Sequence, residues 1–127
     1  MEAFKVEGGK KLSGTIKPQG AKNEALQVIS AVLLTDEKVV IDNIPNIIDV
    51  NRLIDLLKCI GVSIDKINEH KYSFKASSVN LDYLNTDEFE EKAKGLRGSI
   101  MIIGPLLSRF GYASIPKPGG DKIGRRK

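Results

Sequence analysis

The sequence predicts an α/β (α+β) domain, and three observations carry that prediction. The hydrophobic period switches repeatedly between two and about 3.6 residues, the signature of strands alternating with helices. Glycines fall at the switches, at Gly8-Gly9, Gly20 and Gly61, where a turn or a helix cap is needed. The 127 residues, 41% hydrophobic and 28% charged, match the length and apolar content of one ordinary soluble domain.

Taken in order, Phe4 to Glu7 and Leu12 to Lys17 alternate like short strands on either side of Gly8-Gly9. A long helix is expected after Gly20, because Ala25, Leu26, Ile29, Val32 and Leu33 form one apolar stripe. Val39-Val40-Ile41 has the content of a buried strand, and Asn43, Pro45 and Asn46 make a turn. A second stripe, Val50, Leu53, Ile54, Leu57 and Ile60, ends at Gly61, a suitable C-terminal cap. Strands over 62–66 and 72–75 follow, joined by a polar hairpin at Asn68-Glu69. The order from Leu12 to Lys75 is β-α-β-α-β-β. A second copy begins after it, with a strand at Val79 to Tyr83, a helix from Glu88 to Arg109 and a strand at Tyr112 to Ile115, giving about one and a half repeats.

Composition excludes several classes. No apolar run reaches the roughly 18 residues that span a bilayer, and Met1 to Gly14 mixes charges with apolar residues instead of showing a signal-peptide core, so a cytoplasmic location is expected. One cysteine, Cys59, and one histidine, His70, leave no internal disulfide and too few nitrogen or sulfur ligands for most transition-metal sites. Cys59 lies beside the second stripe and reads as a small core residue, while His70 falls in the hairpin turn and reads as solvated. The net charge of +4 and pI near 9.2 point to an anionic partner. Acids and bases are interspersed until the last eleven residues, which hold Lys117, Lys122, Arg125, Arg126 and Lys127 against the single acid Asp121. Only Phe110 and Tyr112 are aromatic near this tail, which ranks nucleic acid below a small phosphorylated ligand.

Three constellations carry chemistry. Lys22 and Asn23 fall in the first turn of the first helix, where unpaired N–H groups and the helix dipole favour an anion. A solvated Lys22 there would cost a few tenths of a kcal/mol against its own dipole, a small argument for a role. In the 88–109 helix, Ile100 to Ile103 are apolar on every side, which predicts burial all round or packing against several elements. Gly95 and Gly98 there either allow close helix packing or clear space around Arg97, a charge seldom buried without a partner. The third is the tail itself, Pro118-Gly119-Gly120-Asp121-Lys122-Ile123-Gly124-Arg125-Arg126, where glycines allow close backbone approach and the bases supply charge.

These segments, with Gly20-Ala21-Lys22-Asn23, Asn43-Ile44-Pro45 and Asp49-Val50, Leu96-Arg97-Gly98-Ser99-Ile100, and Gly104-Pro105-Leu106-Leu107 with Arg109-Phe110-Gly111, resemble the N-terminal part of the UDP-N-acetylglucosamine 1-carboxyvinyltransferase family. The resemblance covers the whole chain in register. It implies an inside-out α/β barrel built of β-α-β-α-β-β repeats. It implies transfer of the enolpyruvyl group of phosphoenolpyruvate to the 3′-hydroxyl of UDP-N-acetylglucosamine, the first committed step of peptidoglycan synthesis. No cofactor and no metal are implied. Lys22, Arg97 and Arg126, with Asn23 beside them, would hold phosphoenolpyruvate, and Arg97 and Arg126 would border the nucleotide sugar. Neither nucleic acid nor membrane is an implied partner.

The resemblance makes Asp121 the catalytic position, where most relatives carry the cysteine that protonates the methylene carbon and is alkylated by fosfomycin. An aspartate has an ordinary pKa of about 3.9, and its basic neighbours favour the ionised form; a plain turn former is the structural alternative. The resemblance also implies that residues 1–19 pair with a C-terminal domain, that residues 20–127 make part of the first domain, and that the base activating the sugar hydroxyl lies elsewhere. The chain alone is therefore expected to be inactive, with apolar surface that favours self-association. A non-catalytic module that binds phosphate or a nucleotide sugar is the alternative.

Overall fold

The computed structural model describes residues 3–117. In chain order it contains α1 (Lys22–Ala31) running into a 3-10 turn (Val32–Leu34), β1 (Lys38–Ile41), α2 (Ile48–Cys59), β2 (Ser63–Asn68) and β3 (Lys71–Lys75). A 3-10 turn (Asp82–Asn85), α3 (Asp87–Lys94), a longer 3-10 segment (Arg97–Ile102) and α4 (Ile103–Phe110) complete it.

The sheet is antiparallel with order β1-β3-β2, so β3 is central. Val39 pairs with Phe74 and Ile41 with Tyr72, while Ile64 pairs with Phe74 from the other side. Phe74 is wholly buried, and a bulge between Lys66 and Asn68 bends β2 into the hairpin turn. One continuous core joins the α1 stripe, the α2 stripe, Phe74, Phe89, Leu96, Ile102 and Leu106. Both predicted stripes are buried as expected.

Three helix ends are held by explicit capping contacts. α2 closes in a Schellman arrangement: Gly61 has φ 98°, its N–H donates to Lys58 O at 3.0 Å, and Val62 N–H reaches Leu57 O at 3.0 Å. α3 opens on Thr86, whose hydroxyl oxygen accepts from Phe89 N–H at 3.2 Å, with Asp87, Glu88 and Glu90 in the first turn. α4 is clamped at its far end by Arg109, whose Nη1 faces the carbonyls of Leu33, Thr35 and Ala76 at 3.1, 2.9 and 2.8 Å, the guanidinium lying over the Phe110 ring.

Several expectations are corrected. Phe4 to Glu7 and Leu12 to Lys17 form no strand: Phe4, Val6, Leu12 and Ile16 are exposed, and no described strand lies alongside to pair with them. Val39-Val40-Ile41 is an edge strand with alternating burial, not a fully buried one, and Val40 remains 50% exposed. The strands at Val79 to Tyr83 and Tyr112 to Ile115 are absent. The helix expected over 88–109 is three pieces, broken where Gly95 ends α3 and Leu96 turns extended at φ −130°. Ile100 and Met101 are 46% and 41% exposed, so the run is not buried all round; Ile102 is the residue that enters the core.

Candidate functional site

The site gathers at the start of α1. Gly20 precedes it because nothing larger fits: a Cβ there would stand 2.0 Å from Asn43 O. Ala21 is the N-cap and makes no side-chain capping bond, which leaves the first N–H groups of the helix to solvent or a ligand. Lys22 is the first helical residue. Its Nζ lies 2.9 Å from Asp49 Oδ2, and both side chains are substantially exposed. Asp49 sits in the first turn of α2, where its charge suits the dipole, so the pair joins two helix N-termini. Asn23 is exposed beside it.

Arg97 opens the 3-10 segment and is exposed, with no hydrogen bond or ion pair among the described residues. The two glycines differ: at Gly95 a Cβ would meet only ordinary contacts at 3.6 Å or more, whereas Gly98 is tightly packed. At Gly98 a Cβ would come within 3.0 Å of Leu26 Cδ1, so Gly98 serves close packing on α1. Leu26 is one helical turn beyond Lys22 on the same face, so this contact brings the start of the 3-10 segment to α1's site side. Arg126 and Asp121 lie outside the described residues.

An open cleft of about 740 Å³ lies beside α1's entry, between residues 17–19, loop residues 42–43 and hairpin residues 68–70. Asp42 on its wall is held below the usual carboxylate range, first by the Asn43 N–H and then by Lys71. His70, expected to be solvated, is half-buried there, its Nδ1 2.9 Å from Ile44 O. Cys59 is also corrected. It is half-buried outside the core, because its Sγ sits 3.0 Å from Lys92 Nζ, which also bonds Glu88 at 2.7 Å. Cys59 and then Glu88 raise the Lys92 pKa, and Lys92 lowers that of Glu88. Tyr83 Oη beside them is buried without a well-aligned hydrogen-bond partner; burial first, then Glu88 and Cys59, push its phenol up to about 12.

Asp49 and Arg109 stand in the quoted motifs, but their contacts were not readable there. The only signal for Asp49 was an acid in the first turn of a helix. Among the described residues no helix is long and apolar enough to cross a membrane.

Over residues 6–126 the chain matches the family described as EPSP synthase (3-phosphoshikimate 1-carboxyvinyltransferase). The UDP-N-acetylglucosamine 1-carboxyvinyltransferases of Porphyromonas gingivalis and Bacteroides fragilis are each 58% identical to it over all 127 residues. That of Aliarcobacter butzleri is 39% identical over 126 residues. The chain spans about 29% of the length of these curated relatives. Among solved structures, the enolpyruvyl transferase NikO from Streptomyces tendae superposes with a TM-score of 0.59 at 22% identity, covering 84% of this chain and 24% of that one, which places the fold.

Proposed function

The chain belongs to the EPSP synthase (3-phosphoshikimate 1-carboxyvinyltransferase) family, and from that membership we propose that it supplies the phosphoenolpyruvate-holding part of a UDP-N-acetylglucosamine 1-carboxyvinyltransferase. The reaction joins the sugar 3′-hydroxyl oxygen to C2 of phosphoenolpyruvate while a proton adds to C3; loss of phosphate and of a C3 proton then restores the double bond. Its product feeds peptidoglycan synthesis, and with it cell shape and division, in the cytoplasm.

The observation that carries this reading is the start of α1. An uncapped helix N-terminus and an exposed lysine, anchored only by a neighbouring carboxylate, form a ready receptor for a phosphate. Charge builds on the leaving phosphate during the reaction, and preorganised cations are the usual means of stabilising it. Lys22, Arg97 and Arg126 supply those cations, Asn23 adds a polar contact, and Asp121 is the proton donor to C3. Asp49 keeps Lys22 oriented until the substrate arrives. Residues 1–19 pair with a second domain and residues 20–127 form part of the first; the exposed Phe4, Val6, Leu12 and Ile16 suit that division. The same exposed surface favours self-association of the isolated chain.

The test is a chimera in which this chain replaces the matching first 29% of the Porphyromonas gingivalis relative. Phosphate release requiring both phosphoenolpyruvate and UDP-N-acetylglucosamine is expected, with Lys22→Ala lowering kcat/KM by about a hundredfold or more. A folded, soluble chimera without turnover would refute the assignment. The chain alone is expected to release no phosphate. With no thiol at position 121 the chimera is expected to resist fosfomycin, its intact mass unchanged by the drug, whereas its D121C variant gains one adduct; an adduct on Asp121 would overturn that expectation.

A further inference from the structure

Residues 42–45 form a ledge on which the start of α1 rests. Asn43 turns there with φ 58°, and its carbonyl occupies the space a Gly20 side chain would need, two residues before Lys22. Ile44 is buried and meets the β2–β3 hairpin at His70, while an exposed Asp42–Lys71 ion pair at 3.5 Å adds a weaker tie between the ledge and β3. Ile44 N–H donates to His70 O at 2.8 Å. In a regular antiparallel pair the His70 N–H would return a bond to Ile44 O. Here that N–H is diverted to Asn68 Oδ1 at 2.8 Å, beside the β2 bulge. The imidazole fills its place: Nδ1 lies 2.9 Å from Ile44 O, and because a carbonyl oxygen only accepts, Nδ1 carries the proton.

We propose that His70 is a positioning residue for Lys22: its ring N–H replaces a missing backbone rung, fixes the 42–45 ledge, and so sets where the N-terminus of α1 presents its lysine to a phosphate. The inference rests on the reading of Lys22 as a phosphoenolpyruvate ligand. His70 acts through Ile44, Asn43 and Gly20 and touches no substrate.

The donor's place in the side chain provides the test. Asparagine carries an amide N–H at the topological position of Nδ1; glutamine carries it one atom further out, and alanine has none. The full 127-residue chain is titrated with phosphoenolpyruvate and followed by the amide NMR signals of Gly20, Ala21 and Lys22. Wild type is expected to show saturable shifts that Lys22→Ala loses. His70→Ala and His70→Gln are expected to weaken binding about five- to tenfold, the effect of one lost hydrogen bond, while His70→Asn stays within about twofold of wild type. Equal binding by all four chains, or His70→Asn as weak as His70→Gln, would overturn the role of His70. Absence of any difference between wild type and Lys22→Ala would instead remove the underlying assignment of Lys22, and the inference with it. Should His70→Ala fail to fold, the contrast between asparagine and glutamine decides.

Discussion

The stretch from Lys22 to Lys75 and the stretch from Val79 to Ile115 have similar apolar patterning, yet only the first contains a sheet. In the first, β1 and β2 each find β3. In the second, the apolar residues Val79, Leu81, Ala113 and Ile115 pack at the edge of the same core without pairing their backbones. Alternation therefore reports which side chains face inward. A strand additionally requires a neighbour to take its N–H and C=O groups, and that neighbour is a long-range property.

The largest expected effect sharpens this contrast between an element that has partners and one that has none. Phe74→Ala, at the centre of the sheet, should cost about 3–5 kcal/mol in urea unfolding, whereas Ile16→Ala should stay within about 0.5 kcal/mol. A comparable loss at Ile16 would mean that the N-terminal segment packs after all. Next comes the joint between the two stretches. Arg109→Ala strands the carbonyls of Leu33, Thr35 and Ala76 and should cost about 2–3 kcal/mol, with Arg109→Lys recovering only part because it loses the planar stack on Phe110. Smaller again, Thr86→Ala removes the α3 cap and should cost about 1 kcal/mol, and hydrogen exchange should rise first within 87–94 if the second stretch opens separately.

The smallest effect is a pH dependence centred on Tyr83, where the second stretch meets Cys59 of the first. Tyr83 has a folded pKa raised from 10.0 to about 12. Its contribution is complete below pH 10 and is lost as pH rises towards about 12, since the unfolded chain ionises first. Wild type should lose stability across that window, and Tyr83→Phe should lose less, as read from urea midpoints. Identical slopes would show that the phenol ionises equally in both states.

Local pattern was the legible part. The α1 and α2 stripes, the Gly61 cap and the 62–75 hairpin were all readable, because each depends on residues within a few positions of one another. The break at Gly95-Leu96 was less readable: glycine weakens a helix, but the extended turn at Leu96 comes from Leu96 and Ile102 both entering the core. In the candidate site, Lys22 and Asn23 were found at a helix start as expected. Asp49, 27 residues away in sequence, and the His70–Ile44 rung, 26 residues apart, were not, because only the fold brings them together.

Arg109 has a consequence for the order in which the molecule is made. Its three acceptor carbonyls lie 76, 74 and 33 residues earlier in the chain. During synthesis the ends of the Val32–Leu34 turn and of β3 emerge first, with their carbonyls open to water. Until α4 has left the ribosome, the early half lacks the Arg109 donor for these three carbonyls. The arginine thus works as a late bolt, and a nascent chain stalled before residue 109 should be digested by protease across both halves, where one stalled beyond the exit of α4 is protected.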